Sequence, residues 1–319
     1  MSESSTFLNR GTGLIIIEVV NSNPNGDPDR ENDPRMRPDG RGEISPVSLK
    51  RKLRDLVLDK DGPVWQELGQ KPGLIKEEYD ILEQRGKKHS DLVKEAGKEN
   101  FLNKYWDARV FGNTILQEGK ETPIQTGVAQ FGLGVSVSPI FIERLTTTKV
   151  TPVQDAKSRG MAPLSFRVVQ HAVYCMPFFI NATIAQKTNC SKKDIDLLLR
   201  LIPYAYIHTA SYLRPQVNIR HAFYIEHNSP IGRFNDFEVI ESLIPKRIGD
   251  EDKPSTSWSD YDAKGLREQW TQVKKNYLDT GKAKRVCDLV QEMEHNETDA
   301  GKATENTLDF VQEMEHDET

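Results

Sequence analysis

The chain has little of what secretion, membrane insertion or disulfide stapling would need. Its 319 residues include three cysteines, Cys175, Cys190 and Cys287, widely spaced and without a CxxC pair. Neither a disulfide framework nor a cysteine zinc site is expected, and a reducing cytoplasm fits. No apolar run is long enough to span a bilayer: the longest, Val168 to Ile180, is interrupted by Gln170, His171 and Pro177. The first residues, MSESSTFLNR, lack a positively charged start and an apolar core, so no secretion signal is read there. No Ser or Cys nucleophile stands out beside a partner base, and the aromatic signature of RNA-recognition domains is absent. His171 and Tyr174 therefore read as packing residues.

Basic charge also looks scarce, since the net charge is −5. The deficit is local. Residues 286–319 hold eleven Asp or Glu and one basic residue, Lys302, which leaves 42 basic and 37 acidic side chains in the rest of the chain. The body is thus mildly basic, and the acidic end repeats itself: DLVQEMEHNET at 288–298 recurs as DFVQEMEHDET at 309–319. Two copies are too few for a solenoid, and so charged a segment is expected to be disordered or loosely helical. With 36% hydrophobic and 29% charged residues the chain has the composition of a globular protein.

The apolar pattern gives a series of elements. Gly13 to Val20 is a β-branched run and reads as a buried strand. Ser45 can cap a helix that starts at Pro46 and runs to about Lys60, with Leu49, Leu53, Leu56 and Val57 on one stripe. Asp61 to Asn103 is polar and punctuated by Pro and Gly, as a peripheral helical insertion would be. Gly127 to Ser138 alternates as a second strand region, with Gly132 and Gly134 marking close approach or a bulge. Arg167 to Ile180 is a third strand, a helix capped by Ser191 follows, and Gln216 to Ile225 is a fourth strand. Strand, helix, strand, strand, helix, strand is the order of an α+β, ferredoxin-like (RNA-recognition-motif) core, here enlarged by helical and β-hairpin insertions. The expected organisation is a palm over 1–247 with insertions at 61–110 and 140–166, a linker with a short helix over 248–285, and the acidic tail over 286–319.

Two stretches carry chemistry. Asn21 to Gly42 holds four Pro, three Gly and four Asn, so an exposed, ordered loop fixed by Asx turns is expected. Its alternating acids, Asp27, Asp29, Glu31 and Asp33, suggest a divalent cation, but the calcium-loop template fails: counting from Asp27, the sixth residue is Asn32 rather than Gly and the twelfth is Pro38 rather than Glu. The helix that follows places Lys50, Arg51 and Arg54 together on the flank of the apolar stripe. That flank suits a phosphate backbone, and on charge pattern alone it equally suits a solvated face. Glu143 to Arg167 carries five basic residues, Arg144, Lys149, Lys157, Arg159 and Arg167, against Glu143 and Asp155. It reads as a hairpin with a GMAP tip or as an ordinary surface loop.

The string NPNGDPD after an apolar strand, followed by SLKRKLRDLV, resembles the amino-terminal signature of the CRISPR Cascade backbone subunit, the Cas-seven family of type I-C and I-B systems. KYWDARVFG at 104–112, TGVAQFGLGVSVSPI at 126–140 and the strand at 173–182 match in the same order, so the resemblance spans about 11–240. It implies a non-catalytic subunit, without cofactor, that oligomerises along a CRISPR RNA and supports pairing of the guide with target DNA. Its partners would be further copies of itself, other Cascade subunits and a recruited helicase-nuclease. The implied RNA contacts are Asn23, Asn25, Lys50, Arg51, Arg54, Gln130, Lys149, Arg159, Met161 and Arg167. Residues 143–167 would form a thumb that kinks the guide, with Met161 as its wedge. The alternatives are a metal-dependent ribonuclease using Asp27, Asp29 and Asp33, and a monomeric RNA-recognition-motif protein.

Overall fold

The computed structural model describes residues 8–69, 74–96, 98, 100–113, 125–149 and 162–294. The first strand, β1 (Gly11–Ser22), extends two residues beyond the expected run at each end. Leu14, Ile15, Ile16 and Ile17 are all buried, which explains why the run is continuous rather than alternating: both faces of the strand are covered. The loop after it is ordered by two short strands, β2 (Gly26–Asp27) and β3 (Asp33–Pro34), which pair around a turn where Glu31 and Asn32 have positive φ. Strand β4 (Arg41–Ile44) leads into α1 (Pro46–Leu58), whose first turn is closed by the Ser45 hydroxyl accepting from Ser48 N at 3.3 Å.

Four helices follow: α2 (Pro63–Gly69), α3 (His89–Ala96), α4 (Phe101–Lys104) and α5 (Trp106–Phe111). This region was expected to be peripheral, and here the structure corrects the reading. Val64, Trp65, Leu68, Tyr79, Ile81, Trp106 and Val110 join the main core. The segment is polar on average, yet its few apolar residues include large aromatics that each carry much buried area.

The strands β5 (Gly112–Asn113) and β6 (Gln125–Thr126) pair with each other. Next come β7 (Ala129–Phe131), β8 (Gly134–Pro139), β9 (Ile142–Lys149) and β10 (Ala162–Ile180). β9 and β10 form an antiparallel ladder from Ile142 opposite Val169 to Lys149 opposite Ala162. The hairpin tip, with Arg159 and Met161, lies outside the described residues. Two helices follow, α6 (Ala182–Thr188) and α7 (Lys192–Leu201), the second begun by a reciprocal capping box between Ser191 and Asp194. Further along come β11 (Val217–His227), α8 (Asp236–Ser242), α9 (Ala263–Tyr277) and β12 (Ala283–Asp288).

The main sheet has the order β12-β11-β1-β10-β8-β4, with β7 and β9 also paired to β10. Because side chains alternate along β1, Ile15, Ile17 and Val19 pack with Leu49 and Leu53 of α1 and Leu198 of α7. Leu14 and Ile16 pack on the other side with Val239 and Ile240 of α8 and Leu266, Trp270 and Val273 of α9. Each fully buried side chain of this kind contributes about 1.5–3 kcal/mol.

The covered second face also corrects the reading of the carboxy-terminal third. Within the stretch expected to be a linker, Ser255 and Tyr261 are buried. Ser255 Oγ lies 2.8 Å from His171 Nδ1 and accepts from the Tyr261 hydroxyl at 3.0 Å, so the segment is fastened to the sheet. Nor does the core stop at 285: Val286, Cys287, Asp288 and Leu289 are buried, and β12 pairs with β11. The acidity averaged over 286–319 hid the string VCDLV at its head, four of whose five residues are apolar.

Candidate nucleic-acid interface

The basic flank of α1 is less free than its charge suggests. Arg54 is buried, donating from Nε to Asp107 Oδ2 at 2.9 Å and pairing with Glu83 Oε2 at 2.9 Å. Asp107 also accepts from the backbone N–H of Leu82 and Glu83. Arg54 therefore ties α1 to α5, and a phosphate would have to compete with a buried carboxylate for it. Arg51 pairs with Asp55 one turn on and donates from Nη1 to the Glu83 carbonyl at 2.6 Å. Lys50 is half-buried, with Nζ 5.3 Å from the centre of the Phe111 ring and no ion pair to a described residue. Burial, reinforced by Arg54, pushes its pKa down. Of the three flank residues, Lys50 is the one with no ion pair to a described acid, although the Glu83 carboxylate acts on it favourably.

The asparagines of the loop work as fasteners. Asn25 accepts from Ser45 N at 2.7 Å and donates to the Gly26 carbonyl at 2.9 Å, which locks the loop to the start of α1. Asn23 is buried and donates to the Asn32 carbonyl at 2.7 Å, while its Oδ1 has no hydrogen-bond partner among the described residues. Asp27 and Asp33 lie opposite each other in the β2–β3 ladder. Asp27 accepts from Asp29 N, Asp29 is exposed, and Asp33 forms an ion pair with Arg167 across the chain. Among the described residues no three His, Cys, Asp or Glu side chains gather as a metal-holding group.

The base of the hairpin forms the second candidate patch. A pocket of about 330 Å³ is lined by Asn23, Asn32, Arg144, Phe166, Arg167 and Tyr212, among others. Arg144 and Arg167 lie directly opposite each other in the β9–β10 ladder. Like charges in that position repel; Asp33 pairs with Arg167, while Arg144, exposed and donating to Ser165 Oγ at 3.2 Å, shares the pocket lining with Glu31. Tyr212 is 65% exposed and meets Phe166 edge-on with ring centres 5.4 Å apart. Gln130 is not part of this pocket: it is half-buried on β7 and donates to the Gly127 carbonyl at 2.7 Å. Lys149 closes the described ladder opposite Ala162.

The structure thus gathers Asn23 and Arg167 in one pocket, fastens Asn25 to the start of α1, and keeps Lys50 on the flank of α1. It adds Arg144, Phe166, Tyr212 and Arg214, which the sequence reading did not select as contacts. Arg214 donates from Nε to the Asn23 carbonyl at 2.8 Å. The signal available in sequence was the string SYLRP at 211–215, an aromatic and a basic residue interleaved in a turn.

A family model described as CRISPR-associated protein Cas7 matches residues 9–265. A curated relative from Haloferax volcanii with the same description is 26% identical over 215 residues, which is 60% of this chain. The match spans 63% of that relative's length, less than two thirds of it. Among solved structures, a chain of a "CRISPR RNA-guided surveillance complex, pre-nicking" aligns over 84% of this chain and 89% of its own, at 11% identity and a TM-score of 0.48. A chain of a "CRISPR RNA-guided surveillance complex" aligns over 83% and 85%, at 13% identity and a TM-score of 0.43.

Proposed function

The chain belongs to the CRISPR-associated protein Cas7 family, and from this we propose that it is a non-catalytic backbone subunit that binds CRISPR RNA. Several copies would line one guide in a Cascade-type complex, together with other Cascade subunits. They would present the guide to target DNA, and cutting would fall to a recruited helicase-nuclease. The observation that carries this reading is the hairpin base, where Arg144 faces Arg167 beside an exposed Tyr212. Two arginines next to an exposed ring suit a phosphate–sugar backbone and its bases. A repeating subunit has to accept any guide sequence, so backbone contacts must dominate over base readout.

The sheet supports a ferredoxin-like core in this proposal. Strands β11, β1, β10 and β8 lie in that order, α1 falls between β1 and β8 in sequence, and α7 falls between β10 and β11. With α8 and α9 over the second face, RNA would run along the α1 flank and hairpin base instead of across the sheet. Lys50, Arg144 and Arg167 would hold phosphates. Lys149, Arg159 and Met161 would act in the thumb, reaching a neighbouring copy. No described helix is long and apolar enough to cross a membrane, and a cytoplasmic location is part of the proposal.

Native mass measurement of the purified protein with RNAs of increasing length tests it. The expected result is a ladder in which copy number rises with RNA length. A bare monomer, or one copy on every length, would overturn it. Shortening residues 159–163 should lower the number of copies on a long guide while leaving capture of a short one near normal.

A further inference from the structure

Lys52, in the middle of the basic run, is turned away from Lys50, since two residues along a helix correspond to about 200° of rotation. Lys52 is 6% exposed, its Nζ donates to Thr209 Oγ1 at 2.9 Å, and it lies 4.8 Å from the centre of the Tyr206 ring. Thr209 in turn donates its hydroxyl to the Ala205 carbonyl, which leaves its lone pairs to receive the ammonium. No ion pair joins Lys52 to a described acid. Burial, followed by the nearby Arg214, lowers its pKa to about 8, with Asp55 acting weakly the other way.

This ammonium forms part of the wall of an open cleft of about 590 Å³ between α1 and the segment 208–214. The charged and titratable groups around it are Arg51, Arg85, Arg214 and His208, with Asp55 and Asp59 as the acids. Asp55 is engaged by both Arg51 and Arg85. With Lys52 the cleft has four lysine and arginine side chains against two carboxylates, a surplus that an anion would neutralise.

The segment 211–214 is a tight turn closed by Arg214 N donating to the Ser211 carbonyl at 2.8 Å. Arg214 lines the Lys52 cleft, while Tyr212 and Leu213 line the hairpin-base pocket. The turn therefore lies between the cationic Lys52 cleft and the hairpin-base pocket, where Arg144 and Arg167 meet Glu31 and Asp33, and it carries the exposed Tyr212 ring. An acidic peptide would be served by the charges alone. A cationic cleft beside an exposed ring matches the alternation of charge and base in a single strand.

We propose that the Lys52 cleft is a phosphate seat for single-stranded nucleic acid, separate from the Lys50 flank, and that the strand crosses the 211–214 turn with a base stacked on Tyr212. This rests on the RNA-binding reading above and assigns it a second track. Protonated Lys52 is the binding form, so affinity should fall as pH rises through and above about 8, where the free protein loses that proton.

The test uses the full chain and a fluorescein-labelled 30-nucleotide polyuridine, titrated by anisotropy from pH 7 to 9.5 at constant ionic strength. Tyr212→Ala should weaken binding by about ten-fold at all pH values, in line with loss of one stacked base. Arg85→Ala, an exposed change, should reduce the salt slope by about one. Lys52→Met should do the same and flatten the pH dependence above 8. Arg85→Ala, which touches only the Lys52 cleft, decides the matter even if Lys52→Met fails to fold, since Tyr212 also lines the hairpin-base pocket. If Arg85→Ala binds as wild type while Lys50→Ala or Arg144→Ala weakens binding, the second track is wrong and the RNA-binding reading stands. If wild type ignores RNA and binds a labelled polyglutamate peptide at the cleft, both fall.

Discussion

Replacing Arg54 by Met should unfold this protein more readily without altering the proposed binding of RNA by the folded form. The Arg54 side chain is 6% exposed and meets a carboxylate, Asp107, whose side chain is 1% exposed. Removing one member of a buried pair leaves the other as an uncompensated charge, a loss of about 3–5 kcal/mol. Asp107 keeps its bonds from Leu82 N at 2.7 Å and Glu83 N at 3.2 Å, so the lower end, about 3 kcal/mol, is expected. That is a large share of the roughly 5–15 kcal/mol that stabilises a typical fold. Urea unfolding measures it as a lower midpoint at unchanged slope. The double variant Arg54→Met/Asp107→Asn should recover part of the loss, because the orphaned charge is then gone. RNA titrations below the unfolding transition should show the salt slope of wild type. Near-wild-type stability together with a shallower salt slope would show that Arg54 swings outward to a phosphate, and the buried-tie argument would fail.

The chain ends give a second contrast: truncation after residue 298 should leave the urea midpoint unchanged, whereas truncation after 285 should lower it sharply. The latter removes buried Val286, Cys287 and Leu289 and the Asp288 carboxylate that accepts from Ala222 N, at about 1.5–3 kcal/mol per large apolar side chain and about 1–3 kcal/mol for the orphaned donor. Gly127→Ala should destabilise by about 1–3 kcal/mol, since a Cβ there would lie 2.1 Å from the Phe111 backbone carbon; equal thermal midpoints would contradict this. In acid, Asp236 should set one limb of the stability profile. Burial alone would raise its pKa, but hydrogen bonds from His227, Arg10 and Thr12 outweigh that and hold it well below the usual carboxylate range. Its contribution is therefore fully present above the unfolded carboxylate value of about 3.9 and declines as pH falls below it. Asp236→Asn should flatten that limb in urea titrations from pH 6 to 2.5.

What was legible in sequence was local. β1 followed from a β-branched run, and α1 and α7 from Ser caps and apolar stripes at helical spacing. Arg54 shows where such reasoning stops: the helical wheel put it correctly beside the stripe, but its fate is set by Asp107, 53 positions away. Asp194 is similar, since its capping role could be read three residues from Ser191, whereas its buried pairing with Arg109 crosses 85 positions. The helical region after α1 and the head of the acidic tail were misjudged for a shared reason. A few large apolar residues in a charged segment vanish from an average yet decide where the segment packs. Tyr212 needed no average, only attention to an aromatic beside a basic residue in a turn.

Strand β10 runs 19 residues without a break, about 60 Å at roughly 3.3 Å per residue. From Val169 to Ile180 it pairs with β1 in the centre of the sheet, and from Ala162 to Val169 it pairs with β9 as one arm of the hairpin. The arm is thus the same rod as the central strand, with no joint between them. Its length can change only in steps that keep side chains on their proper faces, because a one-residue slip inverts every side chain beyond it. Two residues added to each arm would extend the reach by about 7 Å and preserve the faces. If the arm touches a neighbour, the spacing between copies is graduated in dipeptides, and the protein carries its own ruler.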